Sequence, residues 1–387
     1  MRSEYFEFFS ERDEELKKKT PHSSLLTKMN VSPLLAWFAE NGRHDLPWRI
    51  DRTPYKVWVS EIMLQQTQVK TVLEYYSRFL SAFPDVQALA EAKEETVLRQ
   101  WEGLGYYRRA RQLHAAAKII AQRPGAEFPE TFAEVLALPG IGRYTAGAIL
   151  SFACDQRLPI LEANTQRLYA RLIALDLPVT ASAAQKRLWE TAESFISAET
   201  SGESPCAINT ALMDLGNLVC TPQDPRCDAC PLRESCEAHR RGLTEKIPVP
   251  APKMAYEART EAALLLENAR SEVCLLRYVP GEWWAGLWDF PRTQIQGDAP
   301  KDELQKFTRE TTGLEVEITE EVAKIRHSVT KYRILLHVFR GRLISSANAR
   351  RETPSGGEIR WVGEKELETI PLCSTGRKIA RMKRESE

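Results

Sequence analysis

Cys220, Cys227, Cys230 and Cys236 fall within seventeen residues in the pattern C-x6-C-x2-C-x5-C. Four thiols this close along the chain, if they share one centre, force the intervening segment into a compact loop, so no other feature of the sequence constrains the fold as tightly. The spacing fits a [4Fe-4S] cluster, which requires four cysteine sulfurs. On the residues alone two other readings stay open. One is a structural zinc, although a zinc ribbon joins two C-x2-C knuckles and only one is present; the other is a disulfide pair in an exported protein. Cys154, Cys206, Cys274 and Cys373 are scattered, which argues against a disulfide framework and for a reducing compartment.

A chain of 387 residues exceeds one ordinary core, so two or three domains are expected. The formal charge is zero, and any nucleic-acid surface must therefore be a local basic patch. No apolar run is long enough to span a membrane, and the first thirty residues mix Glu, Asp and Lys without an apolar stretch. The expectation is a cytoplasmic protein, nucleoid-associated in a bacterium, without membrane contact. Residues 1–26 read as a charged tail, with Lys17 to Lys19 beside Glu14 and Glu15 as a solvated face. From Val31 to Arg241 the texture is helical: Ile62, Val69, Leu73 and Tyr76 are expected on one face, with further stripes from Leu113 to Ile120 and Leu168 to Leu175. KIPVPAPK at 246–253 carries three prolines and reads as a semi-rigid linker. Beyond it AALLLE, VCLLRY and YRILLHVF read as strands, with one helix near Glu303 to Thr312. The expected domains are 27–245, including a cysteine loop at 220–236, a linker at 246–256, and an α+β domain at 257–387.

The segment Leu138-Pro-Gly-Ile-Gly-Arg-Tyr-Thr-Ala146 sets Gly140 and Gly142 between one helix and the start of the next. Backbone amides in such a turn converge on an anion, and glycine lets a nucleic-acid backbone approach closely. A G-x-G turn alone often only joins two helices. With its flanking residues this one resembles the helix-hairpin-helix motif of DNA repair glycosylases, and with the cysteines downstream it resembles the endonuclease III superfamily. Pro54-Tyr-Lys-Val-Trp-Val-Ser-Glu-Ile-Met-Leu-Gln-Gln-Thr-Gln68 and Trp101-Glu-Gly-Leu-Gly-Tyr-Tyr-Arg-Arg109 are similar to signature stretches of the MutY family of adenine DNA glycosylases. That family removes adenine mispaired with 8-oxoguanine, using a helical catalytic domain with a [4Fe-4S] cluster and a Nudix-like domain behind it. The resemblance implies a multidomain fold: an all-α helix-hairpin-helix glycosylase domain with the four-cysteine loop, then an α+β Nudix-like domain. It also implies a monofunctional adenine glycosylase of base-excision repair, a monomer acting on double-stranded DNA with A opposite 8-oxoguanine or G. The rival readings are a glycosylase of other mismatch specificity on this scaffold and a lesion-binding protein without catalysis.

Glu61 stands among Trp58, Val59, Ile62 and Met63, surroundings that disfavour a charged carboxylate and raise its pKa. A neutral carboxyl can protonate nitrogen-7 of a leaving adenine. A single mid-helix Glu is more often solvated; the resemblance, with Gln65 and Gln66 following, makes Glu61 the acid. Where the family usually has Asp-Gly-Asn this chain has Glu162-Ala163-Asn164. By resemblance Glu162 stabilises the oxocarbenium-like sugar, with Asn164 retained. Glu is a poor helix N-cap where Asp is a good one, and a helix-dipole partner is the alternative role. Bifunctional relatives carry lysine where this chain has Tyr144, and a phenol forms no imine, so water attack is expected.

Gln66 and Tyr106 are by resemblance the wedge residues that fill the gap left by a flipped base. Gly140, Gly142 and Arg143 in the hairpin, and Arg108 with Arg109 and Arg111, are expected on phosphates. Trp48 and Arg49 match the family's adenine-pocket stretch, with a core Trp and a surface Arg as the equal alternative. In the C-terminal part Gly286-Leu-Trp-Asp-Phe-Pro291 resembles the segment preceding a Nudix helix, yet Gln305 to Gly313 keeps only Glu310 of the motif's acids. Too few oxygen ligands remain for magnesium, so the domain reads the damaged base. Its recognition turn is Val329-Thr330-Lys331, which keeps a hydroxyl and lacks the family's aromatic.

Overall fold

The computed structural model describes residues 30–196, 202–250 and 255–384. The tail at 1–26 and residues 251–254 of the proline-rich segment lie outside the described residues. Every named element from Ser32 to Arg240 is helical, and the C-terminal part is a sheet with helices. By its internal contacts the described chain divides into two compact units, 30–61 with 130–137 and 141–250, and 62–129 with 138–140 and 255–384.

In the first unit the helices Ser32–Asn41, Ala163–Leu172, Ser182–Phe195 and Pro205–Leu218 bury one apolar stripe each. Leu34, Phe38, Leu168, Tyr169, Leu188, Phe195, Ile208, Leu212 and Leu215 meet in one core, to which the following loop adds Cys220 and Leu232. The expected face of Ile62, Val69, Leu73 and Tyr76 is corrected. One helix ends at Leu64 and another runs Val69–Ala82, burying Val72, Tyr76 and Phe79. Gln66 between them has φ 56, a left-handed conformation that an α-helix cannot contain, so the spacing counted across the break misplaces the inner face.

In the second unit β1 (Glu257–Glu267), β2 (Val273–Arg277), β3 (Trp288–Asp289), β4 (Arg292–Gln294), β5 (Glu315–Val329), β6 (Tyr332–Ser345) and β7 (Ile359–Val362) form one mixed sheet of order β3-β2-β1-β6-β5, with β4 on β1 and β7 on β2. β1 and β6 run parallel from Glu257 opposite Tyr332 to Glu267 opposite Arg342, while β5 and β6 form a long antiparallel hairpin. β1 is apolar at consecutive positions because both faces are covered. Ala263 and Leu265 join Trp288, Phe290, Leu336, Leu372 and Ile379 on one side; Ala262, Leu264 and Leu266 join Leu304, Leu314 and Phe339 on the other. The helix Pro300–Thr312 supplies Leu304 and ends at Gly313, φ 71.

Candidate active site and cysteine centre

Proline at the start of helix Pro54–Leu64 costs nothing, since the first turn has no partner for its missing N–H. The helix carries Glu61, 4 % exposed, between the buried Trp58, Val59, Ile62 and Met63. Tyr144, in the first turn of helix Arg143–Cys154, donates its hydroxyl to Glu61 Oε2 at 2.6 Å. Burial pushes the Glu61 carboxyl up to about 7; the Tyr144 hydrogen bond lowers it, the charge of Glu162 raises it and Arg49 lowers it. Burial, then the Glu61 charge, holds the Tyr144 hydroxyl far above its ordinary range, so it remains a donor. The pair is a carboxylic acid poised to give up a proton near neutrality.

Glu162 sits at the N-cap of helix Ala163–Leu172. Its oxygens accept from the backbone N–H groups of Asn164 and Thr165, each at 2.9 Å, and from Asn164 Nδ2 at 3.1 Å, while the Thr165 hydroxyl closes a capping box with the Glu162 backbone. The expectation that Glu caps poorly is therefore corrected: the longer side chain folds back far enough to reach both amides. Burial raises its pKa, against the Asn164 and Thr165 hydrogen bonds and the Arg167 charge. The carboxylate thus faces the helix dipole and also lies close enough to Glu61 to shift its titration.

Trp48 is buried. Arg49, expected as a possible surface residue, has a side chain only 10 % exposed and forks onto Asp214, with Nη1 to Oδ2 at 2.7 Å and Nη2 to Oδ1 at 2.9 Å. Arg43 joins from the other side, its backbone N–H meeting Asp214 Oδ2 at 2.9 Å and its guanidinium meeting Oδ1. Burial pushes the Asp214 carboxyl up, but the hydrogen bonds and charge of Arg49, with Arg43, outweigh it and hold it below its ordinary value. Sequence reasoning missed Asp214 and Arg43. The available signal was an acid set in the apolar run Ala211-Leu-Met-Asp-Leu215.

Arg109 is corrected from a phosphate contact to an internal clamp. It is 8 % exposed, so its charge is met by backbone carbonyls. Nη1 donates to the carbonyls of Ile62, Met63 and Gln65 at 2.8, 2.9 and 2.5 Å, and Nη2 to those of Leu104 and Gly105 at 3.3 and 3.2 Å. One guanidinium therefore pins the two loops that carry Gln66 and Tyr106. Both residues are exposed and left-handed, with φ 56 and 47, a conformation that costs such side chains about 1–3 kcal/mol unless the surroundings impose it. Arg108 is exposed at the start of helix Arg108–Ala121.

The helix-hairpin turn joins Phe132–Leu136 to Arg143–Cys154. Gly140 has φ 79, and a Cβ there would stand 2.7 Å from Gln112 Cβ, so only glycine fits. Gly142 caps the second helix and faces open space. The Arg143 guanidinium lies 3.8 Å over the Trp189 ring and pairs with Glu193 at 2.8 Å.

Cys220, Cys227, Cys230 and Cys236 line one cavity together with Arg171, Arg233 and His239. Among the described residues no three His, Cys, Asp or Glu side chains converge as a single ion would require. Four sulfurs spread around a cavity suit a multi-iron cluster better than one zinc, whose sulfurs must all come within about 2.3 Å of a point. Arg171 reaches Cys220 Sγ at 3.2 Å, and Arg167 joins Asn164 Oδ1 at 3.0 Å to the Cys220 carbonyl at 2.7 Å.

In the C-terminal domain Thr330 is exposed at the tip of the β5–β6 hairpin with φ 50. Glu310 stands 62 % exposed on helix Pro300–Thr312, 4.0 Å from Lys306.

Residues 59–194 match the HhH-GPD superfamily base excision DNA repair protein family, and residues 262–382 match the NUDIX domain. The adenine DNA glycosylase of Buchnera aphidicola subsp. Schizaphis graminum is 42 % identical over 258 residues, covering 67 % of this chain and 73 % of that protein. The chain belongs to the MutY family of adenine DNA glycosylases. The family's member in Buchnera aphidicola subsp. Baizongia pistaciae is 37 % identical over 274 residues, covering 71 % of this chain and 76 % of that protein. The member in Homo sapiens is 30 % identical over 409 residues, covering 90 % of this chain and 73 % of that protein. None of the described helices is long and apolar enough to cross a membrane.

Proposed function

We propose that this chain is a monofunctional adenine DNA glycosylase of base-excision repair. As a monomer it extrudes adenine opposite 8-oxoguanine, or less efficiently opposite G, and hydrolyses the N-glycosidic bond to leave an abasic strand. The observation that carries this is the buried Glu61 with a pKa near 7, bonded to Tyr144 and electrostatically linked to Glu162. Because Tyr144 donates to Oε2, the acid's own proton belongs on Oε1 and is free to pass to adenine nitrogen-7. The bond to the sugar then breaks with its electrons moving into the protonated base. The Glu162 charge, aimed by the Asn164 and Thr165 amides, offsets the cation that develops at the anomeric carbon. Water adds there and releases a proton. Tyr144 supplies no amine for an imine, so the strand stays intact.

Gln66 and Tyr106 fill the vacated space, Gly140, Gly142, Arg143 and Arg108 meet backbone phosphates, Trp48 and Arg49 border the adenine, and Thr330 contacts the lesion. The domain limits 27–245, 246–256 and 257–387 belong to the same reading, supported by β1 beginning at Glu257. A [4Fe-4S] cluster on Cys220, Cys227, Cys230 and Cys236 would tie the loop after helix Pro205–Leu218 into a fixed shape. Single-turnover assays on duplexes with A, T or U opposite 8-oxoguanine or G test the reading. Release of adenine alone, fastest opposite 8-oxoguanine, is expected; release of T or U, or binding without release, overturns it. Relatives named adenine DNA glycosylase weigh against those alternatives.

A further inference from the structure

A tyrosine at φ 47 keeps that conformation only where its surroundings over-determine it. For Tyr106, Arg109 supplies one hold. A second comes from the C-terminal domain. Glu102, directly after helix Glu94–Trp101, has a side chain 7 % exposed, and Arg377 forks onto it, with Nε to Oε1 at 2.6 Å and Nη2 to Oε2 at 3.0 Å. The Arg377 guanidinium is itself fixed by the carbonyls of Leu367 and Ile370. Gly103 N–H donates to the Tyr107 hydroxyl at 3.3 Å, and that hydroxyl is hydrogen-bonded to Ser374. Gly103 has φ 103, and a Cβ there would meet the Tyr75 hydroxyl at 2.1 Å, so the turn cannot settle further on that side.

Helix Ser374–Arg384 reaches back towards the hairpin tip. Thr375 Oγ1 accepts from Arg292 Nη1 at 2.8 Å, and Arg292 Nη2 lies 2.8 Å from His327 Nε2, three residues before Thr330 on β5. Charged and hydrogen-bonded groups therefore link the strand leading to Thr330 with the helix that holds the Tyr106 turn. A desolvated fork suits this task, because losing one partner leaves the other charge uncompensated and the turn loses its anchor.

We propose that the Arg377–Glu102 fork is a positioning element for base extrusion: through it the C-terminal domain holds the Gly103–Tyr106 turn in its wedge conformation, so that engaging 8-oxoguanine at Thr330 favours extrusion of the opposite adenine. This rests on the wedge and lesion-contact roles given above. The test uses the full chain and duplexes in which 2-aminopurine, whose fluorescence rises on unstacking, replaces the target adenine opposite 8-oxoguanine or G. Glu102→Gln keeps the side chain's size and should slow extrusion opposite 8-oxoguanine roughly tenfold, within the range for coupling in one ion-pair network. It should slow extrusion opposite G far less, so the ratio of the two rates falls, while affinity for an abasic product duplex is unchanged. Arg377→Lys, which keeps the charge and loses the fork, should act in the same direction. Wild-type extrusion in both variants, or equal losses opposite 8-oxoguanine and G, overturns the proposal. Tyr106→Ala separates it from its premise. If Tyr106→Ala slows extrusion while Glu102→Gln and Arg377→Lys do not, the fork fails alone; if Tyr106→Ala extrudes normally, the wedge role fails and takes the proposal with it.

Discussion

Replacing Glu61 with Gln should make the protein more stable and nearly inactive, and the size of the first effect follows from burial. The Glu61 carboxyl, ordinarily near 4.5, is held at about 7. Below pH 4.5 it is neutral in both the folded and unfolded chain and contributes no difference. As pH rises, the unfolded chain ionises first, so stability is lost progressively until the folded carboxyl also ionises; above about 7 the loss is constant. At about 1.4 kcal/mol for each pH unit between the two values, the loss is roughly 3 kcal/mol. Glu61→Gln cannot ionise and still offers an oxygen to Tyr144. The two proteins should melt together near pH 4.5 and separate by pH 8, the variant higher by roughly 6–12 °C for a domain of this size. Wild-type single-turnover adenine release should fall as pH rises through about 7, where the acid is lost. The variant should release adenine at least roughly a hundredfold more slowly, the scale of general acid catalysis. Thermal unfolding from pH 4.5 to 8.5 and rapid-quench excision on the same preparations check both. A melting difference equal at every pH would refute the raised pKa, and normal excision by a stabilised variant would refute the acid role.

Asp214→Asn leaves Arg43 and Arg49 without their buried counter-charge and should cost about 3–5 kcal/mol in urea unfolding. Because the Asp214 pKa is held low, that gap should be full at neutral pH and close as pH falls below 3.8. Glu162→Gln should raise the excision barrier by about 3 kcal/mol, the loss seen when a preorganised electrostatic group is removed, while Glu162→Asp stays active; equal single-turnover rates in all three forms would leave Glu162 only its capping role. Cys227→Ser should lose iron measured by elemental analysis in anaerobically purified protein, and stoichiometric zinc without iron in the wild type would rule out the cluster.

The burial of Glu61 was legible because its helical neighbours are apolar, and both faces of β1 were legible because AALLLE does not alternate. Arg109 was misread from its company: Arg108, Arg109 and Arg111 look like a solvated charge run. Helical spacing held the answer, since Arg109 lies four residues before the buried Leu113 and eleven before Ile120, on the inward stripe. The capping by Glu162 escaped propensity reasoning because it depends on one side-chain conformation reaching two particular amides. The fork between Glu102 and Arg377 left no local trace, as its partners are separated by 275 positions and each alone resembles an ordinary surface charge.

Gln66, Tyr106 and Thr330 all hold left-handed backbone where glycine or asparagine would rest more easily. At these positions stability and the side chain pull in opposite directions. A library randomised at the three sites and selected only for heat resistance should drift towards glycine and asparagine, whereas selection for repair of oxidised mispairs should hold a long or hydroxylated side chain at each. The distance between the two selected populations would measure, position by position, how much folding stability the protein forgoes to keep these three groups presented to DNA.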